Sequence, residues 1–297
     1  MKIIVTGANG FIGKQLCHQL IQNGIELVTL GRHQVPGIKA QHIYCDLLQP
    51  NNLPQLILPL QATHLIHLAW ITEHGNYWHS PSNYDWLSAS LDLVDAFSKS
   101  GGAHITIAGT CAEYDWRYGY CSESLTPLRA LSCYSECKHL LLKQCQTLCN
   151  ANELALTWAR VFFCYGRGEN EARLIPSLSR VFSGEQAPFG VNLENYRDFI
   201  HVQDVARAFL TLAVNNAKGE FNIASSQPLQ LRRLVELIAF NHGVDHSTIT
   251  QLSPTTVDSI RLLVGNNQRL CDLGWRPNIS LEAGLADFSP QLKRAAN

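Results

Sequence analysis

Short apolar runs alternate with amphipathic stretches along the first half of the chain. The apolar runs, each predicted to be a buried strand, are 3–6, 26–30, 42–45, 65–69, 104–108 and 154–159. The first intervening stretch carries Ile12, Leu16 and Leu20 at helical spacing, and 84–98 and 134–150 also have the pattern of helices. Because strands that alternate with helices form a parallel sheet covered on both faces, the pattern predicts an α/β fold with a doubly wound parallel sheet.

The pattern loosens after Tyr165-Gly166, where glycine, asparagine and proline become frequent as far as Gly190. A further strand and helix at 199–214 predict a return to the sheet, and the remainder mixes short strands and helices. We therefore predict a sheet domain formed by 1–165 plus about 198–217. A smaller C-terminal α+β lobe is predicted at about 166–197 plus 218–297.

Composition and charge restrict the class of protein. Apolar residues make up 46% of the 297 residues, which supports a large buried core, and the net charge of −1 argues against nucleic acid as a partner. The first apolar run starts at Ile3, so we expect no signal peptide. No apolar run approaches the roughly 20 residues of a membrane span. We expect a cytoplasmic protein with no membrane partner.

The ten cysteines lack the spacing of metal ligands. Cys133 and Cys137, like Cys145 and Cys149, are four residues apart, so each pair shares a helix face. There is no Cys-x-x-Cys pair. We predict reduced, packed thiols, as in a reducing cytoplasm, and no metal.

A glycine-rich turn, Gly7-Ala8-Asn9-Gly10-Phe11-Ile12-Gly13, lies between the first strand and the first helix. Glycines in such a turn allow the backbone to approach a pyrophosphate, and the helix N-terminus presents free N–H groups with partial positive charge. Glycines also occur in ordinary tight turns, but the order strand, turn, helix favours dinucleotide binding. The predicted cofactor-binding residues here are Gly7, Asn9, Gly10, Phe11, Ile12 and Gly13.

The end of the second strand distinguishes NADP from NAD. NAD sites carry an acidic residue there for the ribose hydroxyls, whereas this chain has Gly31-Arg32-His33. Arg32 can pair with a 2′-phosphate, although an exposed surface arginine is the alternative. We predict NADP (NADPH), with NAD as the less favoured cofactor. The other residues predicted to contact cofactor are His33, Asp46 and Leu47 near the adenine and Leu68, Ala69 and Trp70 at the end of the fourth strand.

Three residues are predicted to be catalytic. Tyr134 and Lys138 are four apart on a predicted helix and therefore share a face, and Thr110 follows the fifth strand. Reduction of a ketone requires a proton on oxygen, and a lysine cation lowers the pKa of a nearby tyrosine. Thr110 would orient the carbonyl, and Lys138 could also hold the nicotinamide ribose. A helix-surface pair and a strand-end hydroxyl are the structural alternatives.

The sequence resembles the extended short-chain dehydrogenase/reductase family of nucleotide-sugar epimerases, dehydratases and reductases. The matching residues include the glycine turn, Asp46-Leu47, His67-Leu68-Ala69, Thr110, Tyr134, Lys138, Arg160, Tyr165-Gly166 and the segment 197–206, Arg-Asp-Phe-Ile-His-Val-Gln-Asp-Val-Ala. The resemblance implies a Rossmann-type domain that binds the dinucleotide and a small C-terminal lobe that binds a nucleotide sugar. It also implies a homodimer through the helices 84–98 and 134–150.

Departures from the family pattern narrow the reaction. The dehydratases of the family carry Asp-Glu after the catalytic threonine, where this chain has Cys111-Ala112. The stretch Gly109–Tyr114 resembles that of reductases acting on nucleotide-linked 4-keto-6-deoxy sugars. We therefore expect an NADPH-dependent reductase of a nucleotide-diphosphate 4-keto-6-deoxyhexose. A C4 epimerase with tightly bound NAD and a non-catalytic NADP-sensing protein remain as alternatives.

The predicted substrate-binding residues are Thr72, Cys111, Glu113, Phe162, Phe163, Arg173 and Arg197. Glu113 could reach sugar hydroxyls or could be a packing or surface carboxylate. Phe163 stands where many relatives have an asparagine that touches the diphosphate, so Arg173 and Arg197 are the candidates to neutralise it. A cluster of aromatic residues, interpreted as packing rather than a lid, comprises Trp70, Tyr77, Trp78 and Trp86.

Overall fold

The computed structural model describes residues 1–49, 52–244 and 260–289. The strands are β1 Lys2–Thr6, β2 Glu26–Gly31, β3 Gln41–Tyr44, β4 His64–His67, β5 His104–Thr110, β6 Tyr120–Cys121, β7 Ala155–Val161, β8 Phe163–Tyr165, β9 Tyr196–Arg197, β10 Phe199–His201, β11 Gly219–Ile223, β12 Leu229–Gln230 and β13 Leu262–Gly265. The helices are α1 Phe11–Gln22, α2 Leu53–Ile57, α3 Ser82–Lys99, α4 Cys133–Ala151, α5 Leu174–Phe182, α6 Val202–Val214, α7 Leu231–Asn241, α8 Gln268–Cys271 and α9 Leu281–Leu285. Single-turn 3-10 helices occupy Leu58–Leu60, Cys111–Glu113, Trp116–Tyr118 and Ala286–Phe288.

A parallel sheet of seven strands forms the centre, in the order β11-β7-β5-β4-β1-β2-β3. The order runs outward in both directions from the neighbours β1 and β4, so the chain reverses direction across the sheet at that point. Ligands of doubly wound sheets bind outside the carboxyl ends of the strands at such a switch point. The predicted fold class is confirmed.

Each face of the sheet is covered by helices that bury a separate apolar cluster. On one face α1 packs with α6, and Leu16, Leu20 and Phe209 are fully buried there. On the other face α3 packs with α4, and Phe97 and Leu141 are buried between these helices and the sheet. Because both faces are covered there, the central strand β1 has the consecutive apolar residues Ile3, Ile4 and Val5 fully buried rather than an alternating pattern.

A smaller part of the structure lies beyond the carboxyl end of β7. It contains a four-stranded sheet in the order β12-β9-β13-β6 and a separate parallel pair, β8 with β10. The helices α5 and α7 pack on each other in a third apolar cluster. Asp198, between β9 and β10, is fully buried and accepts hydrogen bonds from the amides of Ser225, Ser226 and Gly265 at 2.7–3.1 Å, which ties these segments together.

The six strands predicted from the apolar runs are present, with ends that differ by one or two residues. The prediction that 199–214 returns to the large sheet is wrong for its strand, because 199–201 pairs only with β8. The returning strand is Gly219–Ile223, which pairs with β7 and lies in the segment predicted to belong to the smaller lobe. The helix 202–214 does cover the large sheet, against α1. The two-lobe division stays a prediction.

All ten cysteines are free thiols and nine of them are buried, so they behave as small apolar side chains. Within the described residues, no helix is long and apolar enough to cross a membrane.

Candidate active site

The glycine turn follows β1 at the switch point of the sheet. Gly7 has φ +66°, and a Cβ there would lie 2.7 Å from the backbone nitrogen of Ala69 after β4. A Cβ on Gly13 would lie 2.1 Å from the carbonyl oxygen of Gly7. The amide of Gly10 closes the turn on the Gly7 carbonyl at 2.9 Å. Two of the three glycines are thus required for close packing of the turn itself.

The turn leaves the N-terminus of α1 open towards the carboxyl edge of the sheet. The helix begins at Phe11, and the first N–H groups of a helix have no partner within it. No side chain caps this end. The amides of Phe11, Ile12 and Gly13 are therefore placed to bind an anion, so the cradle fits a pyrophosphate.

The residues predicted for the adenosine side follow β2 and β3, the next two strands along. Arg32 and His33 are exposed after β2, and the amide of Cys45 joins the β3 end to the carbonyl of Gly31 at 3.1 Å. Asp46 accepts the amide of Leu48 at 3.2 Å, which shapes the turn. Its neighbour Leu47 is buried in the core. The cationic Arg32 is thus free to turn toward the cofactor edge, and no acidic residue occupies its position.

On the other side of the glycine turn, β4 leads into Leu68-Ala69-Trp70. The amide of Leu68 bonds to the carbonyl of Thr6 at 3.2 Å, which holds this segment against β1. Trp70 is buried, donates its indole N–H to Asn83 Oδ1 at 2.8 Å, and lies under the ammonium of Lys138, whose Nζ is 3.8 Å from the ring centroid. Trp70 therefore supports Lys138 directly.

Thr110 and Tyr134 are brought together, as the sequence predicts. Thr110 ends β5 and caps the 3-10 helix Cys111–Glu113. Its hydroxyl oxygen accepts a hydrogen bond from the amide of Ala112 at 3.2 Å. Tyr134, in the first turn of α4, hydrogen-bonds to the Thr110 side chain, an interaction that lowers the tyrosine pKa. Burial has the larger effect and raises that pKa above the usual value. Desolvation therefore outweighs any lowering of the Tyr134 pKa by Lys138 in the protein alone, so the expected net lowering is not found.

Lys138 lies one helical turn after Tyr134, and its ammonium is buried. Nζ donates to the carbonyl oxygen of Ala108 on β5 at 2.9 Å, and the residue is only 3% exposed. Burial lowers the pKa of Lys138 to about 7, and the carboxylate of Glu113 partly opposes that effect. A buried lysine that titrates near neutrality is typical of functional sites rather than of helix surfaces.

The aromatic loop between β4 and α3 covers Tyr134. The rings of Tyr77 and Trp78 stand edge-on to the Tyr134 ring, with centroids 5.0 and 5.8 Å away. The amide of Tyr134 donates to the carbonyl oxygen of Trp78 at 3.1 Å. Trp86 contacts Trp70 on the core side, with ring centroids 6.3 Å apart. These ring contacts agree with the interpretation of the aromatic cluster as packing.

Glu113 is not available to a sugar. Its side chain is fully buried, and its carboxylate accepts hydrogen bonds from Arg160 Nε at 2.9 Å and from the Thr110 amide at 2.8 Å. The prediction of a contact with sugar hydroxyls is wrong, because protein donors already surround the carboxylate. The structure instead agrees with the alternative in which Glu113 is a carboxylate packed inside the protein.

Two other predicted substrate residues are also enclosed. Cys111 is buried, and its thiol has a raised pKa, chiefly through burial. Phe162 is 4% exposed, and its ring fills the space beside Gly265. These side chains offer a substrate very little surface, which corrects the prediction for both. Phe163 is partly exposed and packs on Phe199, with ring centroids 5.8 Å apart.

The two arginines predicted to face a diphosphate lie on different elements. Arg173 precedes α5, and its Nε pairs with Glu169 at 3.1 Å. Its charge lowers the pKa of Tyr77 and of Cys111, in each case against the larger effect of burial. Arg197 lies in β9 and donates to the carbonyl oxygen of Tyr196 at 2.9 Å. The prediction for Arg173 and Arg197 remains open.

Sequence reasoning missed Glu169, although a glutamate four residues before a suspected anion-binding arginine is a readable signal. Burial raises its pKa to about 7, and its carboxyl group lies 3.1 Å from Arg173 Nε, which holds the arginine beside it. Thr72 is exposed in the aromatic loop. No cluster of three or more potential metal ligands occurs in the described parts of the chain.

Comparisons with known proteins agree with this geometry. The model of the NAD dependent epimerase/dehydratase family matches residues 3–224. The chain is 27% identical to GDP-6-deoxy-D-mannose reductase of Pseudomonas aeruginosa, over 98% of each chain. It is 24% identical to dTDP-6-deoxy-L-talose 4-dehydrogenase (NAD(+)) of Aggregatibacter actinomycetemcomitans, over 82% of this chain and 92% of that one. The structure of MoeE5 in complex with UDP-glucose and NAD superposes with a TM-score of 0.84 at 25% identity, covering all of both chains.

Proposed function

From the premise that the chain belongs to the NAD dependent epimerase/dehydratase family, we propose that it is an NADPH-dependent reductase of a nucleotide-diphosphate 4-keto-6-deoxyhexose. The family and the relatives support an oxidoreductase that acts on a nucleotide sugar. One observation carries the finer proposal: Thr110, Tyr134 and Lys138 meet at the carboxyl edge of the sheet. The two positions after Thr110 hold Cys111 and Ala112, which supply neither the acid nor the base of an elimination.

Tyr134, Thr110 and Lys138 each have a separate role in the proposed reduction. NADPH supplies the hydride when it is bound. Tyr134, whose raised pKa keeps its proton on the phenol, donates that proton to the oxygen at sugar C4. Thr110 orients the same oxygen by a hydrogen bond. Lys138, one turn away, holds positive charge beside the phenol and stabilises the phenolate that is left.

The mechanism is tested with Tyr134→Phe, which removes only the hydroxyl. Turnover with a 4-keto-6-deoxy nucleotide sugar should fall roughly 10²–10⁴-fold, while NADPH affinity stays nearly unchanged. Tyr77→Phe is the matched control, because that ring packs on Tyr134 without a proposed proton role. Equal turnover by Tyr134→Phe and wild type would refute the assignment.

Within this proposal, Arg32 determines the preference for NADP over NAD. Arg32→Ala should weaken NADPH binding about 10–100-fold, the worth of a charge-assisted contact, and leave NADH binding unchanged. Fluorescence titration of both cofactors measures the difference. If wild type prefers NADH, the interpretation of Arg32 is wrong.

The reaction type is tested by stoichiometry. A reductase consumes one NADPH per sugar reduced, whereas an epimerase purifies with bound NAD and interconverts two sugars with no added cofactor. Bound NAD together with cofactor-independent interconversion would contradict the reductase. Tight NADP binding with no oxidation of NADPH by any 4-keto sugar would favour the sensing alternative.

The proposal includes a homodimer through α3 and α4. These helices pack side by side, and Tyr84 at the start of α3 is 50% exposed. Sedimentation velocity measures the assembly, and Tyr84→Glu should shift it toward monomer. A monomeric wild-type protein at micromolar concentration would exclude this part.

A further inference from the structure

A fully buried ion pair lies directly beneath the end of β5. The side chains of Glu113 and Arg160 are both 0% exposed, and Arg160 Nε lies 2.9 Å from Glu113 Oε2. The residues are 47 apart in sequence but meet because β5 and β7 are neighbours, with Gly109 opposite Arg160 in the register. The other side of the guanidinium pairs with Glu220 on β11 at 2.6 Å.

The Glu113 carboxylate holds the backbone at the catalytic strand end. It accepts the amide of Thr110 at 2.8 Å and the indole N–H of Trp158 at 3.0 Å. Gly109 has no room for a side chain, because a Cβ would lie 2.8 Å from Glu113 Oε1 and 2.2 Å from Trp158 Nε1. The position of the Thr110 hydroxyl therefore depends on this carboxylate.

The same carboxylate acts on Lys138. The ammonium of Lys138 donates to the carbonyl oxygen of Ala108, which lies two residues before Thr110 on β5. The titratable groups that interact with Lys138 are Glu113, Cys145 on the same helix and His67 on β4. Burial keeps Cys145 a neutral thiol by raising its pKa and keeps His67 neutral by lowering its pKa to about 3. Glu113, which is paired with the Arg160 guanidinium, is therefore the carboxylate in this set that acts on Lys138.

We propose that Glu113, held in place by Arg160, is a positioning residue that fixes the Thr110 backbone and supplies negative charge near the buried Lys138 side chain. The inference rests on the proposed function, in which Thr110 and Lys138 serve the reduction. A neutral residue at 113 could still satisfy the Thr110 amide, but it would remove the charge that opposes the desolvation of the lysine.

The decisive comparison is between Glu113→Gln and Glu220→Gln. Each removes one carboxylate from Arg160, but only Glu113 contacts the Thr110 backbone and acts on Lys138. Lysine side-chain NMR follows the titration of Lys138, whose signal is identified by its loss in Lys138→Met. The midpoint should fall by about 1 pH unit or more in Glu113→Gln and stay at the wild-type value in Glu220→Gln.

The activity readout separates positioning from general destabilisation. In Glu113→Gln the alkaline limb of the pH profile of kcat should move to lower pH. Glu220→Gln should lose thermal stability, but its pH profile of kcat should match that of the wild type. Glu113→Asp, which keeps the charge, should restore the wild-type limb. If Glu113→Gln does not fold, the double variant with Arg160→Met removes both buried charges, and its Lys138 midpoint is measured in the same way.

Identical Lys138 midpoints in Glu113→Gln and Glu220→Gln would overturn the inference. The NMR titration needs no substrate, so it stands apart from the proposed function. An inactive wild-type protein whose Lys138 still shifts in Glu113→Gln would refute the reductase and leave the electrostatic role of Glu113 in place.

Discussion

Replacing the buried Lys138 by methionine should change how stability depends on pH. Methionine has a similar length and no charge, so it fills the space over Trp70 without an ammonium to bury. The substitution also removes the hydrogen bond to the Ala108 carbonyl, which costs about 1–3 kcal/mol at every pH. That loss lowers the free energy of unfolding by the same amount at every pH, so it does not change how steeply stability varies with pH.

The slope follows from the pKa of Lys138, which burial lowers from 10.5 to about 7. Between these two values the unfolded chain binds more protons than the folded chain, so the free energy of unfolding rises with pH. One proton contributes about 1.4 kcal/mol per pH unit. From pH 8 to pH 9.5 the wild type should therefore gain about 2 kcal/mol relative to Lys138→Met.

Urea unfolding at half-unit pH steps, after removal of any bound nucleotide, measures this difference. Other titratable groups are present in both proteins, so their contributions to the pH dependence cancel in the difference. Lys143→Met is the control, because Lys143 is exposed on the same helix, and its curve should run parallel to that of the wild type. A Lys138→Met curve that is also parallel to wild type would show that Lys138 keeps an ordinary pKa, which would refute the reasoning.

Three further predictions concern stability. Gly13→Ala should cost about 1–3 kcal/mol in urea unfolding and abolish NADPH binding, since its Cβ would meet the Gly7 carbonyl, whereas Gly31→Ala, which has open space, should be nearly neutral. Asp198→Asn should cost about 2–4 kcal/mol, because its new N–H₂ would face amide donors, and unchanged thermal unfolding would contradict this. His67 has a pKa lowered to about 3, so wild-type stability should fall with acid below pH 6.5, and His67→Gln should flatten that fall when melting is compared at pH 6.5 and 4.5.

Local patterns in the sequence were sufficient for much of the fold. A strand buried on both faces is rich in consecutive apolar residues, so short apolar runs located six of the seven strands of the large sheet. The i, i+4 spacing placed Tyr134 and Lys138 on one helix face, and the strand–turn–helix order located the glycine turn. These features depend on residues that are close in the chain, and the structure has them at the predicted positions.

Residues distant in the chain decided the rest. Local sequence patterns located the strand–helix order, the glycine turn, Thr110, Tyr134 and Lys138. Contacts between distant segments established that β11 completes the sheet, that Glu113 meets Arg160 rather than a sugar, and that burial controls the pKa values of Tyr134 and Lys138. The physical reason is that pairing between strands and desolvation of a charge depend on which surfaces are brought together, and neither quantity is a property of a local segment.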